Sequence, residues 1–482
     1  MVTFNKVVEF ILNSETVQVH VPPGMLALDY LRQHKNLTGT KSGCKEGDCG
    51  ACSVIIGEIK EGAVEYRPMT SCLLPMGELH GKHLVTIEGL NMDHLSAVQN
   101  AMVDCGGTQC GYCTPGFVVC MTAGLMAPQI PLNDEGVLYA ISGNLCRCTG
   151  YRSIRDAGIQ AIESLRDQLI NKERIEALVE AKALPKFFLG ITERLKAINP
   201  EESLQMESHQ RGRTIVAGGT DLYVQRGEQL AESSITLLNN ESEIPPAIAN
   251  EGRVIIDARM TFEAFATDSL IKTYLREIYD YNLLMASWPI RTRSTIGGNL
   301  CNASPIADMT CLLIALESSL ALTSPDGHKR ELPLREFYLG YKKLNKEPDE
   351  VVTEISFPVF SENTYVNWEK VSKRAWLDIA TVNAACKFEV VDNHFARASM
   401  ALGGVSATPL YLNEASVFLK NKPVLMDTVL DCLTVAQSEF KPIGDVRGSA
   451  HYKRLLARQL LLANFVKIFP ESLDEEALYA AL

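Results

Sequence analysis

The stretch at residues 41–54, KSGCKEGDCGACSV, decides how the first part of this chain folds. Cys44, Cys49 and Cys52 stand in the spacing Cys-x4-Cys-x2-Cys, and Cys72 supplies a distal fourth thiol. Four thiolates placed this way can wrap two ferric ions and two sulfides. Gly43, Gly47 and Gly50 let backbone amides bend close to the sulfurs, where they stabilise an anionic 2Fe-2S cluster and help to set its potential. The alternative is a zinc knuckle or a set of buried free thiols, although a zinc ribbon normally shows paired Cys-x2-Cys units.

Upstream, residues 3–11 and 15–21 alternate apolar and polar side chains like two strands joined near Asn13-Ser14. Pro22-Pro23-Gly24 then turns the chain into an apolar helical stretch carrying Leu26, Leu28 and Leu31. Downstream, from Leu95 to Leu165, the period becomes helical, with Phe117, Val118, Met121 and Leu125 on one face and Val137, Leu138 and Ile141 on another. Pro115 suits a first helical turn, and Gly143-Asn144 suits a stop. Two more short cysteine pairs punctuate this segment: Cys110 and Cys113 in GTQCGYCTPGF, and Cys146 and Cys148 in GNLCRCTGYR. Spacing alone leaves a structural zinc site open beside a second cluster. Cys105 and Cys120 read as thiols of the helical segment, and Cys301, Cys311, Cys386 and Cys432 as single buried hydrophobes.

A chain of 482 residues has room for about three domains. The formal charge is −12, from 46 Lys+Arg against 58 Asp+Glu, which argues against partners such as nucleic acid or an anionic membrane. No apolar run reaches the ~18 residues of a membrane span. The opening residues lack the basic start and long apolar centre of a signal peptide, so a cytoplasmic location is expected. Residues 166–208, rich in Lys, Arg, Glu and Gln, read as a linker, and the expected domains are 1–88, 89–165, 209–368 and 369–482. The third domain mixes apolar strands with helical stretches such as Met309 to Leu320. The last has strand patterns up to Ala407 and ends in a helix bearing Arg454, Leu455, Leu456, Leu460 and Leu461.

No Gly-x-Gly occurs among the 33 glycines, so the dinucleotide fingerprint is absent, and no Gly-x4-Gly-Lys-Ser/Thr P-loop occurs either. Two glycine pairs follow strands instead, IVAGGTDL at 215–222 and STIGGNLCNASPIAD at 294–308. Each alone is either a turn or a phosphate cradle.

QCGYCTPG followed by NLCRCTGY, with the first cysteine set before them and the two glycine motifs after them, resembles the molybdenum hydroxylases, the xanthine dehydrogenase and aldehyde oxidase family. The resemblance implies a multidomain α+β fold. Its parts would be a β-grasp ferredoxin domain of plant type, a four-helix 2Fe-2S bundle, an FAD domain of the vanillyl-alcohol oxidase type and an α/β flavoprotein C-terminal domain. It implies two 2Fe-2S clusters, one on Cys44, Cys49, Cys52 and Cys72 and one on Cys110, Cys113, Cys146 and Cys148. It further implies FAD bound by Val216, Ala217, Gly218, Gly219, Thr220, Asp221 and Leu222, by Thr295, Gly298, Asn299, Asn302 and Asp308, and by Val352 and Lys370. Asp257 and Arg259 in RVIIDARMTFEAF depart from the family's Ile-Gly-Ala step.

In such a family the chain would match the iron-sulfur and FAD subunit, with molybdopterin and molybdenum held by a large partner subunit, in a dimer of heterodimers. No catalytic residue is then expected here. Electrons would pass from the partner through the second cysteine set and then the first to FAD, with NAD+ as acceptor, and Gln109 would lie beside the partner's pterin. Oxidation of hypoxanthine and xanthine is the leading activity implied. A hydroxylase of aldehydes, carbon monoxide or N-heterocycles is the nearest alternative, and a zinc-binding scaffold protein is the alternative outside the enzymes.

Overall fold

The computed structural model describes residues 7–170, 172–198, 213–233, 235–238 and 244–473. The chain divides into two units: residues 1–242 with 287–294, and residues 243–286 with 295–482.

The first unit opens with a five-stranded mixed sheet: β1 (Val8–Leu12), β2 (Glu15–Val19), β3 (Ser53–Lys60), β4 (Ala63–Thr70) and β5 (His83–Val85), in the order β2-β1-β5-β3-β4. β1 lies parallel to β5, and the other pairings are antiparallel. The expected strands at 3–11 and 15–21 are thus found shorter, and residues 3–6 lie outside the described residues. Asn13 closes the β1–β2 turn with φ +53°, a conformation its side chain supports by accepting from the Thr86 amide at 2.9 Å. Helical turns over Ala27–His34 lay Ala27, Tyr30 and Leu31 on a core with Phe10, Val54, Ile56 and Leu84.

Four helices follow, at Ala97–Asp104, Thr114–Met126, Asp134–Ala140 and Arg152–Leu169. The first starts in a capping box of Ser96 and Gln99, and the second has proline in its first turn. The stretch at 166–208 includes the end of the fourth helix, then helices Arg174–Glu180 and Ile191–Lys196. Between these, Phe187 and Phe188 stack on each other, and Phe188 packs edge-on against Tyr66 and His83 of the sheet. Parallel strands Thr214–Val216 and Ile235–Leu237 flank helix Leu222–Glu232. Residues 287–294 add a short helix, Trp288–Arg291, and Arg293 in a bidentate pair with Glu78 at 2.6 and 2.7 Å, both side chains being buried.

The second unit contains a five-stranded antiparallel sheet, in the order Lys329–Pro333, Ser319–Thr323, Val351–Pro358, Arg253–Asp257, Ile248–Asn250. It also contains a four-stranded antiparallel sheet of Thr364–Val371, Val382–Val391, His394–Gly403 and Leu410–Tyr411. The second strand of the latter is buried on both faces. Val382, Ala384, Cys386 and Phe388 point into a core with helices Met426–Glu439 and Ala450–Ile468, and Ala385 points into a core with Leu312, Ile355 and Trp368. The helix read over Met309–Leu320 ends at Ala315, and Leu320 belongs to a strand. In the last helix Leu460 and Leu461 are buried while Leu455 is exposed.

His83 is wholly buried; its Nε2 donates to the Asn13 carbonyl at 2.8 Å, so Nδ1 accepts from the Tyr66 hydroxyl at 3.0 Å. Burial lowers its pKa from 6.5 to about 4. Between those values the unfolded chain binds a proton there that the folded chain does not, so stability falls as pH drops through that window. Unfolding by denaturant at pH 7 and pH 5 should show the wild type losing about 2 kcal/mol more than His83→Gln, which cannot titrate. Equal losses would show that this histidine is protonated in the folded state.

Candidate functional site

The loop bearing Cys44, Cys49 and Cys52 has no regular secondary structure between Lys41 and Cys52, and its shape follows from where its amides point. Gly47 and Gly50 take φ +78° and +65°. A Cβ on Gly43 would lie 2.7 Å from the Cys49 sulfur, so only glycine lets the chain pass there. The amide of Glu46 donates to the Cys44 sulfur at 3.3 Å and that of Cys44 to the Cys49 sulfur at 3.5 Å. The amides of Asp48, Ala51 and Gly47 donate to Cys44, Cys49 and Cys72 respectively.

The thiols gather two by two. All four are free thiols; Cys44 shares a hydrogen bond with Cys49, and Cys52 with Cys72. The bond from Cys49 holds the Cys44 thiol down to about 5, and that from Cys72 likewise lowers Cys52; the same bonds, with burial, push Cys49 and Cys72 up. Among the described residues, no three His, Cys, Asp or Glu side chains converge as the ligands of a single ion would. Two thiol pairs under a canopy of amides suit a two-iron cluster, in which each iron takes two thiolates, better than one tetrahedral zinc.

The second set repeats the pairing at helix starts. Cys113 is the N-cap of helix Thr114–Met126, and Cys146 and Cys148 lie just before helix Arg152–Leu169. Cys110 pairs with Cys148, both exposed, and Cys113 with the less exposed Cys146. Burial, then the Cys146 bond, raises Cys113 to about 12, whereas the Tyr112 amide and the Cys148 bond lower Cys110. The Thr149 hydroxyl lies 3.2 Å from the Cys146 sulfur. Cys113 stands at the start of helix Thr114–Met126, where a helix's partial positive end favours an anionic group. Gln109 is exposed beside them.

The first glycine motif lies in the same unit. Strand Thr214–Val216 leads into residues 217–221, with Gly219 at φ +66°, and helix Leu222–Glu232 follows. A glycine in this conformation lets backbone amides approach an anionic diphosphate closely. Thr220 Oγ1 is 3.0 Å from Ser294 Oγ, and Asp221 accepts from Gln225. Val216, Leu222 and Tyr223 share an apolar cluster with Cys52, Cys72 and Leu73. Ala217 and Gly218 complete this turn.

In the second unit, Thr295 caps helix Ile296–Asn302 by accepting from the Gly298 amide. Asn299 accepts from Thr310, and Asn302 from Lys342 through both its carbonyl and its side chain. Asp308 is half-buried, its carboxyl held above the usual range by desolvation, and it accepts from Lys370 at 2.7 Å and Asn383 at 2.6 Å. Lys370 also donates to the Leu284 and Asp378 carbonyls, which engages all three of its protons. Val352 is a core residue, paired across the sheet with Leu322. At the departure from the family step, Asp257 accepts from both the amide and the guanidinium of Arg259, closing a short turn with its own side chains.

Two contacts had no signal in the sequence because their partners are far apart along it. The Leu145 amide donates to the Cys49 carbonyl at 3.0 Å, and the Tyr112 hydroxyl donates to the Ser42 carbonyl at 2.6 Å. Each joins a loop of the first cysteine set to a loop of the second.

Comparison with known proteins matches four segments of the chain. Residues 10–76 match the 2Fe-2S iron-sulfur cluster binding domain and 86–159 a second 2Fe-2S binding domain. Residues 193–360 match the FAD binding domain in molybdopterin dehydrogenase, and 369–468 the CO dehydrogenase flavoprotein C-terminal domain. The chain therefore carries domains for two 2Fe-2S clusters and FAD. Xanthine dehydrogenase 1 of Arabidopsis thaliana is 27% identical over 525 residues, covering 92% of this chain and 38% of that protein. Xanthine dehydrogenase of Emericella nidulans is 26% identical, covering 93% and 38%. The chain thus spans well under half the length of these relatives. Among solved structures, carbon monoxide dehydrogenase from Hydrogenophaga pseudoflava, in a form lacking the Mo-pyranopterin moiety, has a TM-score of 0.51 at 25% identity, covering 55% of this chain and 92% of that chain.

Replacing Gly43 with alanine should force the Cys49 sulfur aside. Iron per chain should fall from about four toward about two, and one of two paramagnetic signals of the reduced protein should vanish while the other persists. Full iron with both signals intact would mean that Cys49 is not held where these contacts place it.

Proposed function

We propose that this chain, which belongs to the molybdenum hydroxylase family, is the electron-transfer part of a xanthine dehydrogenase, receiving electrons from a molybdopterin-containing partner subunit and delivering them to NAD+. Bound here, the two 2Fe-2S clusters would carry single electrons, and FAD would collect two and release them as hydride.

The observation that carries this reading is that both cysteine sets and the first glycine motif adjoin one another in one unit. Cys52 and Cys72 pack with Val216 and Tyr223 of the first glycine motif, and Cys49 is bonded to the residue next to Cys146. In this reading Cys44, Cys49, Cys52 and Cys72 hold one cluster and Cys110, Cys113, Cys146 and Cys148 the other. The turn at 217–221 orients the FAD diphosphate. Lys370 and Asp308, satisfied by each other and by backbone, are residues that the family resemblance assigns to the flavin within the second unit.

The partner would cover the second cysteine set, where Gln109, Cys110, Tyr112 and Cys148 are exposed, and two such pairs would form a dimer of heterodimers. Substrate hydroxylation would take place on the partner, so no residue here is assigned a catalytic role. A second reading, the equivalent part of a carbon monoxide, aldehyde or N-heterocycle hydroxylase, is favoured by the likeness to a carbon monoxide dehydrogenase.

Copurification tests the partner, and Cys113→Ser tests the route. With its flavin occupancy normal, the variant complex should lose substrate-driven flavin reduction by orders of magnitude yet keep NADH-driven reduction of a dye. Substrate-driven reduction at the wild-type rate would take the second cysteine set off the path. A complex that oxidises carbon monoxide or an aldehyde and not xanthine would establish the second reading.

A further inference from the structure

Three neighbouring strands of the second unit meet the start of one helix at a charged point. Lys370 on strand Thr364–Val371, Asn383 on Val382–Val391 and Gly403 on His394–Gly403 stand in register, Lys370 opposite Asn383 and Asn383 opposite Gly403. Directly opposed residues send their side chains to one face, and this face meets Asp308, the first residue of helix Asp308–Ala315. Lys370 Nζ donates to one carboxylate oxygen and Asn383 Nδ2 to the other.

Asn383 is wholly buried. Its Nδ2 also donates to the Ile306 carbonyl at 3.3 Å, so its protons go to residues 306 and 308. Its side-chain oxygen has no partner among the described residues. A Cβ on Gly403 would lie 2.2 Å from that oxygen, so the position opposite must be bare. Valine or alanine would fill this strand position without leaving a buried acceptor unpaired. The site therefore gains from the donors of this asparagine and not from its packing.

Asp308 is pulled two ways. Burial favours its neutral form, while Lys370 and then Asn383 favour the anion. The three protons of Lys370 go to Asp308 and to the Leu284 and Asp378 carbonyls, so toward a flavin it acts as a fixed charge and not as a donor. Ionised, Asp308 cancels that charge; protonated, it leaves the pair positive. Among the other groups packed around this helix, the Cys311 thiol one turn on is pushed up by burial and stays protonated. Arg374 pairs with Asp378 at 3.7 Å, Lys387 and Arg397 pair with Glu317 at the far end, and Arg335 lies over the Tyr411 ring.

We propose that Asn383 is a positioning residue of the flavin site, holding the Asp308 carboxylate against Lys370 so that the two charges cancel beside the flavin. The proposal rests on the reading that Asp308 and Lys370 belong to the flavin site. Without the Asn383 donor, Asp308 takes up its proton at a higher pH, and the pair turns positive there. A positive pair favours added electrons, so the flavin potential rises.

The test uses the full chain with its FAD. FAD content is measured first, and the flavin midpoint potential is then read by spectroelectrochemistry between about pH 5 and about pH 9, with the paramagnetic signals of the clusters followed in parallel. Asp308→Asn makes the pair positive at every pH and should raise the potential throughout. Asn383→Ala should raise it above wild type at the acid end, match wild type at the alkaline end, and add nothing in the Asp308→Asn background. At the acid end its infrared spectrum should carry a protonated-carboxyl band that Asp308→Asn removes. Should Asn383→Ala cost FAD, Asn383→Thr keeps the side-chain volume without reaching Asp308 and should give the same pH-dependent rise. A wild type without FAD, or Asp308→Asn with an unchanged potential, defeats the flavin reading and the proposal with it. With the potential raised in Asp308→Asn, an Asn383 effect that is absent, equal at every pH, or additive to Asp308→Asn overturns the proposal alone. Loss of FAD from both Asn383 variants would make this a folding residue and overturn it too.

Discussion

The carbonyl oxygen of Gly50 is the point on which the first unit turns. It accepts from the Ser53 amide at 3.1 Å, the Ser53 hydroxyl at 2.7 Å and the Asn144 side chain at 3.2 Å, with Gly116 pressed against it. The peptide that ends in this oxygen must run left-handed, as its φ of +65° shows, and must carry no side chain. Both demands come from the cysteine loop, which has to aim amides inward at sulfur while presenting its outer edge to a helical bundle. Glycine alone meets them together.

The backbone also carries the electrostatics. The chain is acidic overall, with a formal charge of −12, and a cluster on four thiolates adds further negative charge. The thiols at Cys44, Cys49, Cys52 and Cys72 are shifted chiefly by neighbouring thiols, burial and backbone amides. Fixed dipoles at short range need no reorganisation when an electron arrives or leaves, and a mobile cationic side chain would. At the second set the same task falls to the Tyr112 amide and the Thr149 hydroxyl.

Much of this was legible in the sequence because ligand chemistry is local. The Cys-x4-Cys-x2-Cys spacing, the QCGYCTPG and NLCRCTGY pairs and the two glycine motifs each specify their geometry within a dozen residues. What spacing leaves out is which thiol meets which, since Cys110 pairs with Cys148 and not with its neighbour Cys113. Composition was also a weak guide at 166–208, where Leu178, Phe188, Ile191 and Leu195 are buried within an otherwise charged stretch. The helix pattern from Met309 ran past Ala315 because Leu320 continues the apolar run, although its backbone pairs as a strand with Leu332 and Ile355. Lys370 carried no mark of having all three protons engaged, for its acceptors come from residues 284, 308 and 378.

The eight residues 287–294 bear on how the gene for such a protein can be divided. They belong to the first unit although their flanks belong to the second, so the polypeptide passes between the units three times. The Trp288 amide donates to Ser142, and Arg293 meets Glu78 in a pair almost without exposure. A polypeptide ending at residue 242 would leave Glu78 as a buried carboxylate with no guanidinium, a loss of about 3–5 kcal/mol for a broken buried pair. The amino-terminal half is thus not a self-contained module. Fission of the reading frame, or recombination at the apparent boundary, would have to carry this short segment with it or replace the acid it neutralises.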